Sequence, residues 1–494
     1  MALYLGGDLG TSALKLIVTD ERGKVLASVS EAYPLSFPKT GWSEERPEDW
    51  WKALEKGLSE LGKKVPLAEI RGMAFDGQMH GLVALGRNGK VLRPAILWND
   101  SRSVREVRYL NEKIGKKTLL RETGNIAYPG FTAPKILWMK KNEPTLFKKI
   151  AHLLLPKDYL VYRLTGIYAT EVSDASGTLL FDVRHRRWSK KMMALCSVKE
   201  EFLPPVLESG ERVGTVRKDI ASSLALNPQA FVLAGAADNA AAALGLGVIR
   251  EGQCNLSVGT SGTVFIASKT FHQDPHGAIH AFCSADGGYC LLACSLSSAS
   301  CLKWLNEDIL KTTDFAGEQA KIKSSDLGKN EVYFLPYLMG ERSPINDPYA
   351  RGVFAGLSLS TKREDLTQAV LEGVAFALRD SLRVCASLGI QVLESSLTGG
   401  GSQSPLWRKI FADVFGIPLS TASDAAGPAF GMILLSLVSD HVYPDLPTAV
   451  KSLLPTGRKI LPDPKKVRLY EDRYRRFRKL YPALKPVFPS LAED

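Results

Sequence analysis

The chain has 494 residues, 45% hydrophobic and 23% charged, with a formal net charge of +11. That length exceeds what one hydrophobic core organises, so two large domains are expected in a protein of ordinary globular composition. Apolar runs stay well short of the ~20 residues of a membrane span, so no membrane partner is expected, and seven scattered cysteines without a CxxC pair argue against a disulfide framework or a zinc site.

The first predicted elements lie in Leu3 to Val18, LYLGGDLGTSALKLIV, a buried strand, a glycine turn and a second strand. The turn carries Asp8, Gly10, Thr11 and Ser12. Amides and hydroxyls of this kind suit phosphate oxygens, and the carboxylate suits Mg²⁺ or its waters. The motif begins at Leu3 and leaves no room for a signal peptide, so a cytoplasmic protein is expected. A third strand is predicted over Lys24 to Ser30, then a helix opening at Pro47 with Trp51, Leu54, Leu58 and Leu61 on one face. The strand Ile70 to Phe75 runs into Asp76-Gly77-Gln78-Met79-His80-Gly81. Strand ends of open α/β sheets carry ligands, and Met79 and His80 could pack on and hydrogen-bond a small polyol; an ordinary turn fits the same residues. Further on, Asn125, Tyr128 and Pro129 suggest an irregular ligand-lining segment, and Ser173, Asp174 and Ser176 are polar loop candidates for sugar contact.

Phe231 to Gly247 reads as a strand ending in small residues, then Asp238-Asn239, then an Ala/Gly-rich helix. Asp238 is either a helix cap or a general base for a substrate hydroxyl. A boundary near Val248 to Gly252 divides the chain into 1–247, 248–440 and a helical extension, 441–494. The second part opens on Cys254 to Ala267, CNLSVGTSGTVFIA, which repeats the first hairpin with Thr260 in its turn and Ser257 where Asp8 stood. A long loop follows over VYFLPYLMGERSPINDPYARGVFAGLS, then a helix in which Glu372-Gly373 allows close backbone packing. Ser396 to Gly401 is a strand running into three glycines before a helix, an arrangement suited to nucleotide binding but not spaced as a Walker loop. ASDAAGPAFGMILLSLV is a closing helix with small residues for tight packing. Near the C-terminus Leu469, Tyr470, Tyr474, Phe477 and Leu480 fall at helical spacing beneath a basic face; without an aromatic–basic recognition motif, no nucleic-acid partner is expected.

DLGTS, GWSEERPEDWW, GQMHG, GFTAPKILW, AADNAAAALGLG, SVGTSG, GERSPINDPYARGVFAGL and TGGGSQS, in their places between about residues 3 and 440, together resemble the FGGY carbohydrate kinases. The resemblance implies an α/β fold of two ribonuclease-H-like (actin-like ATPase) domains with a catalytic cleft between them. It implies ATP and Mg²⁺, with Asp8 near the metal and needed for activity. Gly10, Thr11, Ser12 and Thr260 would bind phosphate, with Gly400 and Ser404 beside the adenosine. Met79, His80, Asp238 and Asn239 would contact the sugar, Asp238 as proton acceptor. The expected reaction is phosphorylation of D-xylulose to D-xylulose 5-phosphate. The alternatives are a kinase of gluconate or ribulose, for which Arg102 could serve an acid substrate, and a non-catalytic sugar sensor on the same fold. Two positions depart from the family pattern: Gly7 replaces an Ile, and Asp76 replaces a Ser or Ala with its direction left open. Oligomeric state is also open, a homodimer being among the states allowed.

Overall fold

Strand β1 (Leu3–Leu9) is apolar and buried over nearly its whole length, as a strand covered on both faces must be. The structure is a computed structural model and describes residues 2–421, 427–455 and 457–491. The turn at residues 10–12 returns β1 antiparallel as β2 (Ala13–Thr19), and β3 (Val25–Ala32) extends the meander. On its other edge β1 runs parallel to β4 (Ile70–Gly77), with Asp8 directly opposite Asp76. Helix α1 (Pro47–Gly62) makes the crossover between β3 and β4. It starts at Pro47, whose missing N–H costs nothing in the first turn, and buries Trp50, Trp51, Leu54, Leu58 and Leu61. Strands β5 (Arg212–Thr215), β6 (Phe231–Leu233) and β7 (Ala236–Ala237) complete a seven-stranded sheet, β6 and β7 lying parallel to β4. Helix α2 (Asp238–Gly245) leaves directly from the end of β7.

The second half repeats this plan. Strands β8 (Gln253–Val258) and β9 (Gly262–Ser268) form an antiparallel hairpin, and β10 (His280–Cys283) and β11 (Tyr289–Ser295) extend it on the β9 side. After helix α3 (Arg363–Ser387), strand β12 (Glu394–Thr398) lies parallel to β8, as β4 lies parallel to β1. Helix α4 (Pro405–Phe415) buries Trp407, Ile410, Phe411 and Val414, and the sheet ends in β13 (Leu419–Thr421) and β14 (Lys459–Ile460). Gly373 on α3 is needed as glycine: a Cβ there would strike the carbonyl oxygen of Phe334.

Helix α5 (Pro428–Ser439) lies in the chain between β13 and β14 of the second sheet but packs on the first. Its Ala429, Phe430, Ile433, Leu434 and Leu437 share one buried cluster with Tyr4, Ala74 and Ala236. The approach is close enough to demand missing side chains. A Cβ at Gly6 of β1 would collide with Ala429, and one at Gly431 with the carbonyl oxygen of Ala241 on α2. Residues 422–426, predicted to open this helix, lie outside the described residues. Helix α6 (Pro464–Leu484) is the predicted amphipathic element; Tyr470, Tyr474 and Phe477 are buried in the second core. Arg473 of α6 donates to Glu372 of α3 at 2.8 Å, both side chains almost fully buried.

Candidate active site

The first turn is held by local bonds that leave its outer face open. Gly10 N donates to Ala13 O at 3.1 Å, and the Tyr33 hydroxyl donates to Gly10 O from beneath. Thr11 accepts the indole N–H of Trp98 at 3.0 Å, while Ser12 is exposed. The second turn has the same form. Gly259 N donates to Ser261 O at 3.0 Å, and Thr260 O accepts Ser298 N at 3.0 Å and the Ser300 hydroxyl at 2.7 Å. Thr260 and Ser261 are exposed.

The glycine run after β12 splits into two roles. Gly399 has φ +80°, and Cβ atoms at Gly399 and Gly401 would collide with Val258, so these two carry the close approach to the hairpin strand. Gly400 faces open space, with nothing within 4 Å of a Cβ built on it. Ser404 caps α4, accepting Trp407 N at 3.0 Å, and its hydroxyl also meets Gln319. Its hydroxyl is therefore engaged in holding the helix start.

Three carboxylates from three chain segments meet where β1, β4 and β7 end. Asp8 and Asp76 are paired across neighbouring strands, and Asp238 follows β7, which lies alongside β4. Asp76 is fully buried and neither of its carboxylate oxygens has a hydrogen-bond donor. Burial, then the charges of Asp8 and Asp238, hold its pKa well above the ordinary carboxylate range. The side chain thus faces the carboxylate cluster. Asp8 is raised by burial, opposed by its contact with Asp76 and by Lys15. Asp238 is pushed up to about 7, chiefly by burial and further by Asp8, against hydrogen bonds from Asn239.

Asp238 is not the cap of α2. It is the first residue inside the helix, after Ala237, and its Oδ1 accepts Asn239 N at 2.6 Å and Asn239 Nδ2 at 2.8 Å. Asn239 Nδ2 also lies 3.9 Å from Met79 Sδ, which joins the Asp-Asn pair to the strand-end loop. His80 has φ +71°. Its carbonyl accepts Thr132 Oγ1 at 3.1 Å and Lys135 Nζ at 2.9 Å, bonds that hold this left-handed turn. Its Nδ1 lies 2.7 Å from Gly177 O, and burial lowers its pKa to about 3. A neutral ring facing a carbonyl must carry its proton on Nδ1, so Nε2 is left as an acceptor.

Several polar groups flagged from sequence serve the framework instead. Ser173, Asp174 and Ser176 lie in a buried helical turn, Val172–Ser176, not in a loop. Ser173 Oγ accepts Ala237 N at 3.0 Å, Ser176 Oγ donates to Val172 O at 2.6 Å, and Asp174 lies 3.5 Å from the buried Lys157 Nζ. Arg102 is unavailable to an acidic substrate. Its side chain is fully buried, bonded to Asp100 at 2.7 Å and Glu44 at 2.6 Å, and stacked 3.7 Å from the Trp42 ring. Asn125 ties the lobes, donating to Ala281 O at 2.8 Å. Sequence reasoning missed Arg342 and His280. Arg342 donates to His280 Nε2 at 2.9 Å and lies 4.5 Å above the Tyr128 ring, and the His280 ring lies 5.4 Å from Phe131, which packs on His80. Only the three-dimensional fold brings this second-half arginine to the first-half loop. Among the described residues no group of three or more His, Cys, Asp or Glu could hold a metal ion, and the cysteines are free.

Comparison with known proteins gives a consistent result. The models of the N- and C-terminal domains of the FGGY family of carbohydrate kinases match residues 3–245 and 254–439. The xylulose kinase of Klebsiella pneumoniae is 40% identical over 98% of this chain and 100% of its own length. The crystal structure of a "xyloylose kinase" from Brucella ovis superposes with a TM-score of 0.93 at 38% identity, covering 98% of this chain and 100% of that one. A gluconate kinase from Lactobacillus acidophilus has the same fold, TM-score 0.94, at 25% identity, covering 99% of this chain and 100% of that one.

Proposed function

The chain belongs to the FGGY family of carbohydrate kinases, and on that premise we propose that it transfers the γ-phosphoryl group of ATP to the C5 hydroxyl of D-xylulose, giving D-xylulose 5-phosphate and ADP. The observation that carries this reading is the approach of Asn239, itself bonded to Asp238, to Met79, beside the neutral His80. Together these supply one proton acceptor, one amide, one apolar surface and one imidazole nitrogen to a small uncharged polyol. The similarity to xylulose kinases at up to 40% identity over nearly the whole chain supports the same substrate. A sugar acid would need a cation, and Arg102, the one weighed for that task, is already satisfied by two carboxylates.

In this reading Asp238 accepts the proton of the C5 hydroxyl as the oxygen attacks phosphorus. Its raised pKa of about 7 matches that task at neutral pH, where a base must be both ionised and able to hold a proton. Asn239 orients the carboxylate, and His80 Nε2 accepts a sugar hydroxyl. The turns at Gly10-Thr11-Ser12 and Gly259-Thr260 receive the nucleotide phosphates, and Gly400 leaves room for the adenosine. Closure of the two lobes would keep water from the γ-phosphoryl group.

The one carboxylate expected at the metal, Asp8, fits Mg²⁺. That ion binds oxygen and commonly takes only one or two protein carboxylates, the rest of its shell being water and substrate phosphate. Asp8 offers such a carboxylate at the end of β1, and among the described residues no group of three or more His, Cys, Asp or Glu forms a closed cage there. When bound, Mg²⁺ would neutralise charge on the phosphate oxygens. Use of ATP as donor supports a cytoplasmic reaction.

A panel of D-xylulose, D-ribulose, glycerol and D-gluconate, with ADP release measured, tests the assignment. D-Xylulose should give the highest kcat/KM; gluconate ranking above it would overturn the reading.

A further inference from the structure

The basic C-terminal helix does more than cover the second core. Helices α3 and α6, with the segment after α3, wall an open cavity of about 450 Å³ lined by Arg379 and Arg383 from α3 and by Arg475 and Arg478 from α6. Glu471 is the one acid lining it, bonded to Arg379 and 3.6 Å from Arg475. Arg478 reaches only to 3.9 Å from Asp380, whose Oδ1 already accepts the Tyr474 hydroxyl at 2.6 Å. Arg383 is exposed, and its charge is one of three arginine charges that act on Asp380. Arg379 lies 4.2 Å above the Tyr474 ring, so its guanidinium plane is pre-positioned. Four guanidinium groups line this concavity with Glu471, while Asp472, 3.3 Å from Arg475, and Asp380 pair with them from outside the lining, so cations remain in excess and form a site for an anion. Arginine forks match phosphate oxygens two at a time.

A second cavity of about 450 Å³ shares Arg383 and Arg478 with the first and is walled on its other side by Pro344 and Ile345. The Tyr481 hydroxyl of α6 donates to Asp347 Oδ2 at 2.7 Å on that same segment. Residues 341–347 also carry Arg342, which bonds His280 near the sugar loop. The arginine cavity is therefore joined mechanically to the sugar site by one short stretch of chain.

We propose that the cavity between α3 and α6 is an effector site for a small phosphorylated molecule, and that its occupancy changes sugar affinity through residues 341–347. Anchoring Arg383 and Arg478 on phosphate would shift α6 relative to that segment. The proposal concerns residues outside those assigned to catalysis and phosphate binding. Only its kinetic arm rests on the kinase reading.

The test uses the full chain with inorganic pyrophosphate as probe, titrated calorimetrically while a nonhydrolysable ATP analogue saturates the nucleotide site. One saturable site is expected, weakened at least tenfold by Arg383→Ala with Arg475→Ala. Neither residue belongs to the catalytic machinery, so turnover without pyrophosphate should match the parent. In the parent, pyrophosphate should move the KM for D-xylulose at least twofold, and in the double variant it should not. No binding with the analogue present, equal binding by the double variant, or an unmoved KM would each overturn the proposal. So would a DNA duplex binding at ~150 mM salt where pyrophosphate does not, since that pattern marks a general polyanion surface. Failure of the binding arm leaves the kinase assignment standing, because basal turnover is measured without the probe.

Discussion

Asp238→Asn separates catalysis from stability and gives opposite signs for the two. The amide keeps the shape of the side chain but accepts no proton, so kcat should fall by about 10²–10⁴. Stability should rise. Folding raises the Asp238 pKa from 3.8 to about 7, so the folded state holds the proton more tightly than the unfolded one. The stabilisation from this group is fully present below pH ~4, and is lost as pH climbs through about 7. About 3 pKa units at 1.36 kcal/mol each give a ceiling of about 4 kcal/mol. Asp238 retains partial exposure in the cleft, so solvent screening reduces this to about 2 kcal/mol at pH 8. At pH 5 the gain should fall to half of that or less, because most of the deprotonation that carries it has not occurred. Thermal unfolding of both proteins at the two pH values measures it, with about 2–4 °C expected per kcal/mol. A variant within tenfold of parental activity, or one equally stabilised at pH 5 and pH 8, would refute the reasoning.

In the parent enzyme kcat/KM for D-xylulose should fall on the acid side with an apparent pKa near 7, dropping about fivefold from pH 7 to pH 6. His80 should add no limb between pH 5 and 8, since burial keeps it neutral down to about 3; His80→Ala should raise the sugar KM about tenfold and leave that acid limb in place. Gly431→Leu, tested by chemical denaturation, should cost at least about 1–3 kcal/mol through overpacking against Ala241. Glu372→Leu should cost about 3–5 kcal/mol by stranding the buried Arg473, and a loss below 1 kcal/mol would show that α6 is not anchored there.

Much of this molecule is written in local pattern. The two hairpins could be read because apolar runs flank a glycine turn, and α1 and α6 because their apolar residues recur at helical spacing. Sequence could nominate Asp238 because small residues precede it at a strand end. It could not show which way Asp76 faces. That depends on β1 and β4 aligning Asp8 with Asp76 across a parallel pair separated by a whole crossover. Nor could it show that Arg102 is consumed by Asp100 and Glu44, or that Ser173 braces the β7 end and Asp174 faces Lys157 from within a buried turn. Polar residues look alike in sequence whether they await a ligand or are already satisfied. Only their partners distinguish them, and apart from Asp100, two positions from Arg102, those partners lie tens of positions away.

Helix α5 imposes an order on synthesis. Until residue 439 has left the ribosome, one face of the first sheet has only part of its cover, from α2, although that sheet's last strand was completed some two hundred residues earlier. The nascent amino-terminal half must wait with Tyr4, Ala74 and Ala236 unshielded. A fragment cut at residue 247 would therefore keep that greasy face permanently bare and precipitate, whereas supplying 428–439 in trans as a peptide should rescue it.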